Sequence, residues 1–110
     1  MLHTNTRIYQ RSLELARLSA EVIALLPRGH APLADQLRRA AASITLNFAE
    51  GCGKASAKDR KRYFLAARGS ANEVVAIFDI ALAFGVLDPS WHGCGIDIAD
   101  HLAAMLSRYR

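Results

Sequence analysis

The stretch SAKDRKRYFLAARGSANEVVAIFDIALAF, Ser56 to Phe84, decides the fold. Ser56 stands three residues before Asp59, an approximation of a capping box that starts a helix. Gly85 marks its end. A helix over these residues spans roughly 43 Å at 1.5 Å per residue. Phe64, Ala67, Ala71, Val74, Phe78 and Ala81 share one face, and Leu65, Val75 and Leu82 add a second strip. So wide an apolar surface predicts a helix packed on more than one side.

Working outward, three more segments carry helical periodicity. Arg7 to Leu26 sets Ile8, Leu15, Leu18, Val22 and Leu25 in one stripe behind an N-cap at Thr6. Pro27 to Pro32 reads as a connection. Leu33 to Glu50 follows, with Leu33, Leu37, Ala40, Ile44 and Phe48 on one face. Gly51 is placed to end that helix as a left-handed cap. The last segment starts at Asp88-Pro89, an N-cap followed by Pro at the first helical position. Ile98, Leu102, Met105 and Tyr109 form its stripe, while Gly93 and Gly95 weaken its first half. Short connections favour antiparallel neighbours, so the expectation is an all-α, antiparallel up-down four-helix bundle.

The 110 residues suffice for one domain, 1–110. With 52% of residues hydrophobic, the apolar supply is large for a thin core, which points to self-association. No apolar run approaches a membrane span, and no apolar signal core opens the chain. Cys52 and Cys94 make no disulfide framework. A cytoplasmic protein is expected, with no membrane contact. Charge is uneven. Residues 1–69 hold 12 Lys/Arg against 5 Asp/Glu, a net of +7, whereas residues 70–110 carry −3. That imbalance suggests an acidic partner for the first part.

Catalytic patterns are missing. Glu14, Glu21, Glu50 and Glu73 precede Arg17, Ala24, Gly53 and Ala76 by three residues, so no Glu-x-x-His pair exists for a di-iron centre. His92-Gly93-Cys94 offers one close pair of potential zinc ligands, which is too few, and a loop His beside a small thiol explains it better. Gly51 to Ser56 lacks the spacing of a phosphate loop and follows no strand. No enzyme, cofactor or metal is expected.

The positive signal is basic. Lys54, Lys58, Arg60, Lys61, Arg62 and Arg68 fall within fifteen residues that contain one acid, Asp59. Arg38 and Arg39 add charge on the preceding helix. These eight are the candidate nucleic-acid-binding residues. At 100° per residue Lys58, Lys61, Arg62 and Arg68 surround the third helix's first turns, whose free N–H groups also favour phosphate. Tyr63 is a nearby aromatic that packs or stacks on a base.

The motif Gln36-Leu37-Arg38-Arg39-Ala40-Ala41-Ala42-Ser43-Ile44, leading to Asn47-Phe48-Ala49-Glu50-Gly51, carries more than composition. Phe64, Ala67, Gly69, Ser70 and Glu73 follow at fixed offsets. From Arg7 to Arg110 the chain resembles the four-helix-bundle family encoded by intervening sequences in bacterial large-subunit ribosomal RNA genes. That family includes accessory variability proteins of diversity-generating retroelements. The resemblance implies a homopentameric ring and no enzymatic activity. For the retroelement members it also implies nucleic-acid binding, to RNA or DNA, and a reverse-transcriptase partner. Relatives read Ile-Pro-Ser-Asn where this chain has Ile44-Thr45-Leu46-Asn47, so the second helix should be straighter. Asn47, Glu50, Ser70 and Glu73 are expected to form a structural polar layer between helices, with Arg38 or Arg39 as partners. Close helix approach would offset the cost of Gly69 within a helix.

Overall fold

The computed structural model describes His3 and residues 6–109, which form four α-helices: α1 (Arg7–Leu25), α2 (Ala31–Cys52), α3 (Ala57–Ala83) and α4 (Pro89–Arg108). Three start on side-chain caps that supply acceptors to otherwise unpaired N–H groups. Thr6 Oγ1 accepts from Tyr9 N at 3.1 Å, Ser56 Oγ from Asp59 N at 3.1 Å, and Asp88 Oδ1 from Ser90 N at 2.8 Å. α2 has no side-chain cap; a 3-10 turn at Arg28–His30 leads into it, and Pro32 lies in its first turn. Proline is tolerated there because its missing N–H would have no helical partner.

Each helix packs on its neighbours in sequence, and α1 closes onto α4. The diagonal pairs, α1 with α3 and α2 with α4, make no such contact. The longest dimension is 44 Å, set by the long third helix. Between the helices lie Leu15 and Val22 of α1, Leu37, Ile44 and Phe48 of α2, Val74 and Phe78 of α3, and Leu102 of α4, all essentially without solvent contact. The whole expected α3 face, from Phe64 to Ala81, is buried. Burial of this kind contributes about 25 cal/mol per Å² of apolar surface and is what the bundle rests on.

The α1 stripe contains two serines that hydropathy passes over. Ser12 and Ser19 are buried in line with Ile8, Leu15 and Val22. Ser12 Oγ hydrogen-bonds Thr45 Oγ1 at 2.8 Å, joining α1 to α2. Leu25, expected in the stripe, is exposed, because helical phase passes the position after Val22 to Leu26, which packs on the core.

Glycine behaves differently from expectation at three places. Gly51 does not end α2 as a left-handed cap. It lies inside the helix, buried, where a Cβ would come within 2.7 Å of the Phe64 ring and 2.9 Å of Tyr63 Cβ. The left-handed role falls to Gly85 (φ +73°), the only positive φ among the described residues. Its N–H donates to Leu82 O at 3.0 Å, and Val86 N–H to Ala81 O at 3.0 Å, the paired bonds of a Schellman motif ending α3. Gly69 meets no close neighbour, so helix approach does not account for it. Gly95 does not weaken α4, which runs unbroken from Pro89. Any Cβ on Gly95 would penetrate the Phe78 ring.

Candidate nucleic-acid interface

α2 ends and α3 begins at one end of the bundle, and the basic cluster runs from Lys54 in their connection into α3. Arg60 is partly consumed by structure: its Nη1 donates to Lys54 O at 3.2 Å and Ala55 O at 2.8 Å, satisfying carbonyls of the tight connection. Lys54 Nζ sits 3.3 Å from Glu50 Oε2 and 5.3 Å from the Tyr63 ring centroid, an ion pair and a cation–π contact. That contact gives Tyr63 a role within the fold. Arg62 lies 3.8 Å from Asp59 Oδ1, a loose and exposed pair worth little. Arg68 Nη1 donates to Ser107 Oγ at 3.1 Å and so ties α3 to α4. Lys58 and Lys61 are exposed, and no ion pair engages them among the described residues.

Arg38 and Arg39 do not join this surface. They lie thirteen and twelve residues before Gly51 on α2, about 20 Å along the axis. Arg39 pairs with Asp35 at 3.3 Å, and Arg38 borders a separate recess between α1 and α2. The eight candidates therefore divide into five at the α2–α3 junction, Arg68 farther along α3 against α4, and two on α2 away from both.

Beneath the basic end lies an aromatic trio. Phe48, Phe64 and Tyr109 have ring centroids 5.2–5.6 Å apart, with Tyr109 edge-on to both phenylalanines. Tyr109 keeps 37% of its surface exposed. Desolvation, and then the neighbouring Cys52, push its phenol above the ordinary tyrosine value, so it stays protonated and able to donate. Burial likewise raises the Cys52 thiol.

Of the four residues expected in a polar layer, the structure brings Asn47 and Ser70 together at Ser43. Asn47 Nδ2 donates to Ser43 O and Ser43 Oγ, both at 2.9 Å, and Ser70 Oγ donates to Ser43 Oγ at 2.8 Å, linking α2 to α3. Glu50 and Glu73 are outside it. Both are exposed, because their positions turn away from the facing helix. Neither needs Arg38 or Arg39. The layer's hub is Ser43, a residue of the quoted motif whose role only its tertiary neighbours reveal. His92 and Cys94 do not converge either: two positions apart on α4, they point to different sides. His92 Nε2 meets Asp79 Oδ1 at 2.7 Å, while Cys94 is exposed. Among the described residues no group of three or more His, Cys, Asp and Glu is placed to hold a metal ion. None of the described helices is long and apolar enough to cross a membrane.

A second basic cluster escapes the sequence reading. Arg7, Arg11 and Arg17 recur along the exposed side of α1 and flank His101 of α4. Arg11 Nε donates to His101 Nδ1 at 3.2 Å, and Arg11 Nη1 binds Glu14 Oε2 at 2.8 Å. Their spacing on α1 was a usable signal; their meeting with α4 was not.

The family model described as 23S rRNA-intervening sequence protein matches residues 4–108. The chain belongs to that family. Its fold is shared by a solved protein of unknown function from the S23 ribosomal protein family of Bacteroides thetaiotaomicron. The two superpose with a TM-score of 0.85 at 18% identity, over 90% of this chain and 94% of that one. At that identity the likeness speaks for the fold alone. No curated protein matches the chain. This intervening-sequence family member presents the exposed cations Lys58, Lys61 and Arg62 where α3 starts.

Proposed function

We propose that this family member is a homo-oligomeric nucleic-acid-binding accessory protein with no active site of its own, built as an up-down bundle of antiparallel neighbours. The observation that carries the reading is the set of exposed cations around α3's first turns, Lys58, Lys61 and Arg62, of which only Arg62 has an acidic partner. The helix N-terminus adds its own partial positive charge at the same place. Phosphate backbones bind such surfaces through charge and release of counterions, without base recognition. The resemblance extends the proposal to a homopentameric ring and, for retroelement members, to a reverse-transcriptase partner. Self-association draws support from exposed apolar side chains, Leu46 on α2 at 68%, Leu65 and Ile80 on α3, and Phe84 at the α3 C-cap at 61%.

The test is a salt titration of RNA and DNA binding on protein whose mass in solution is known from light scattering. The variant Lys58→Glu/Lys61→Glu/Arg62→Glu is run beside the parent. Acidic residues near a helix N-terminus suit its dipole, so the variant should fold and assemble as the parent does. Steep salt dependence in the parent, with loss of binding in the variant, supports the proposal. A parent that binds neither acid at low salt overturns it. The exposed apolar side chains then favour a second reading, an oligomeric protein-interaction scaffold whose cations only aid solubility.

A further inference from the structure

Three concavities lie in a row around the C-terminal end of α4, and they share side chains. The first, about 310 Å³, is bounded by Arg60 and Lys61 of α3 and by Arg108 and Tyr109, over a floor that includes Phe64. Arg108 and Tyr109 also border the second, about 250 Å³, where Arg7 and Met105 complete the wall. Arg7 continues into the third, about 450 Å³, with Arg11, Arg17 and His101. The shared residues make the row continuous from α3, across α4, to α1.

We infer that this row is a track for one unpaired nucleic-acid strand, with phosphates on its arginines and a base against Tyr109. The inference rests on the nucleic-acid reading above and narrows it from any phosphate backbone to single strands.

Charge and shape both argue for this occupant. Six Lys/Arg side chains line the row against one carboxylate, Glu14, which Arg11 already holds at 2.8 Å. The cations alternate with apolar surface from Phe64, Met105 and Tyr109. Alternating cations and an aromatic are what a single strand requires, because its phosphates and bases take separate contacts. A duplex keeps its bases stacked inside and would offer only its backbone, leaving the apolar recesses unfilled. Several contacts are already in place. Two carbonyl bonds fix the Arg60 guanidinium, and edge contacts with Phe48 and Phe64 brace Tyr109. His101 accepts from Arg11 through Nδ1, which leaves its other ring nitrogen as a donor.

The test compares a short unstructured pyrimidine oligonucleotide, as RNA and as DNA, with the same sequence annealed to its complement. Binding is read by fluorescence anisotropy on the assembled full chain. The variants are Tyr109→Leu, which keeps apolar contact with the phenylalanines, and Arg7→Ala/Arg108→Ala, whose side chains are exposed. The single strand should bind at least about tenfold more tightly than the duplex, and Tyr109→Leu should remove about tenfold from the single strand alone. The arginine pair should lower the salt slope for the single strand by about 1.4, two phosphate contacts at roughly 0.7 each. Equal binding of both forms, or parental behaviour of both variants, overturns the track. If that happens while Lys58→Glu/Lys61→Glu/Arg62→Glu still abolishes binding, the broader nucleic-acid function stands. If no acid binds the parent, both fall.

Discussion

The two ends of the bundle share one packing device and differ in nearly everything else. At the α2–α3 end, Phe64 fills the space left by Gly51 of α2. Toward the α3–α4 end, Phe78 fills the space left by Gly95 of α4. α3 thus presents a phenylalanine to a glycine on each neighbour, fourteen residues apart. Around the first contact the surface is basic and floored by aromatic rings. Around the second it carries Asp79, Asp88 and an exposed Phe84 resting on His30, 5.7 Å between centroids. The shared device holds the fold, and the differing surfaces are free to serve function. The two can therefore be perturbed separately.

The largest expected effect comes from filling the glycine spaces. Gly95→Ala drives a methyl into the Phe78 ring, which is buried and cannot move aside. Overpacking of this kind costs about 1–3 kcal/mol or more, beyond the roughly 1 kcal/mol that Ala gains over Gly in a helix. Gly51→Ala makes a milder clash with Phe64 and should cost less. Thermal melts of both variants measure the ordering; a Gly51→Ala melt below that of Gly95→Ala would reverse it. Gly95→Ala should leave nucleic-acid affinity unchanged wherever the protein remains folded.

A smaller effect separates the ends by pH. Asp88 caps α4 at the acidic end, and its bonds from the Ser90 N–H and hydroxyl hold its carboxyl below the ordinary aspartate value. A depressed folded value stabilises the protein above the unfolded pKa, and that share is lost as pH falls through the folded value. Asp88→Asn keeps a good capping side chain but does not titrate. Melting temperatures of parent and variant should therefore converge or cross as pH falls below the ordinary aspartate range. Parallel curves down to strong acid would show that the cap is not coupled to protonation. The smallest effect is expected at Glu73, which is exposed on α3. Glu73→Ala should change stability by less than about 0.5 kcal/mol. A larger drop in denaturant midpoint would return Glu73 to the polar layer.

The helices were legible because their signals are local. Thr6, Ser56 and Asp88 announce three starts within four residues each, and the α3 face shows its period without help from elsewhere. Gly51 and Gly95 misled for the opposite reason. A glycine that ends a helix and one that admits a ring look alike in sequence; the ring in question is thirteen or seventeen residues away. The candidate site divided along the same line. Lys58, Lys61 and Arg62 are contiguous enough to read. Arg7, Arg11 and Arg17 are diluted along α1 and become a surface only when α4 brings His101 and Arg108 beside them. Glu50 and Glu73 were drawn into the layer by their motif positions, whereas helical phase turns both outward.

Thr6 and Tyr109 border the same recess, so the first turn of α1 and the last turn of α4 meet at one point on the surface. This adjacency governs how the protein is handled in the laboratory. A purification tag or fluorescent reporter joined directly before Thr6 or directly after Tyr109 would start beside the row of arginines and compete with whatever lies there. Joining Tyr109 to Thr6 with a short linker and opening the chain between α3 and α4 would carry such fusions toward the opposite pole, about 40 Å away.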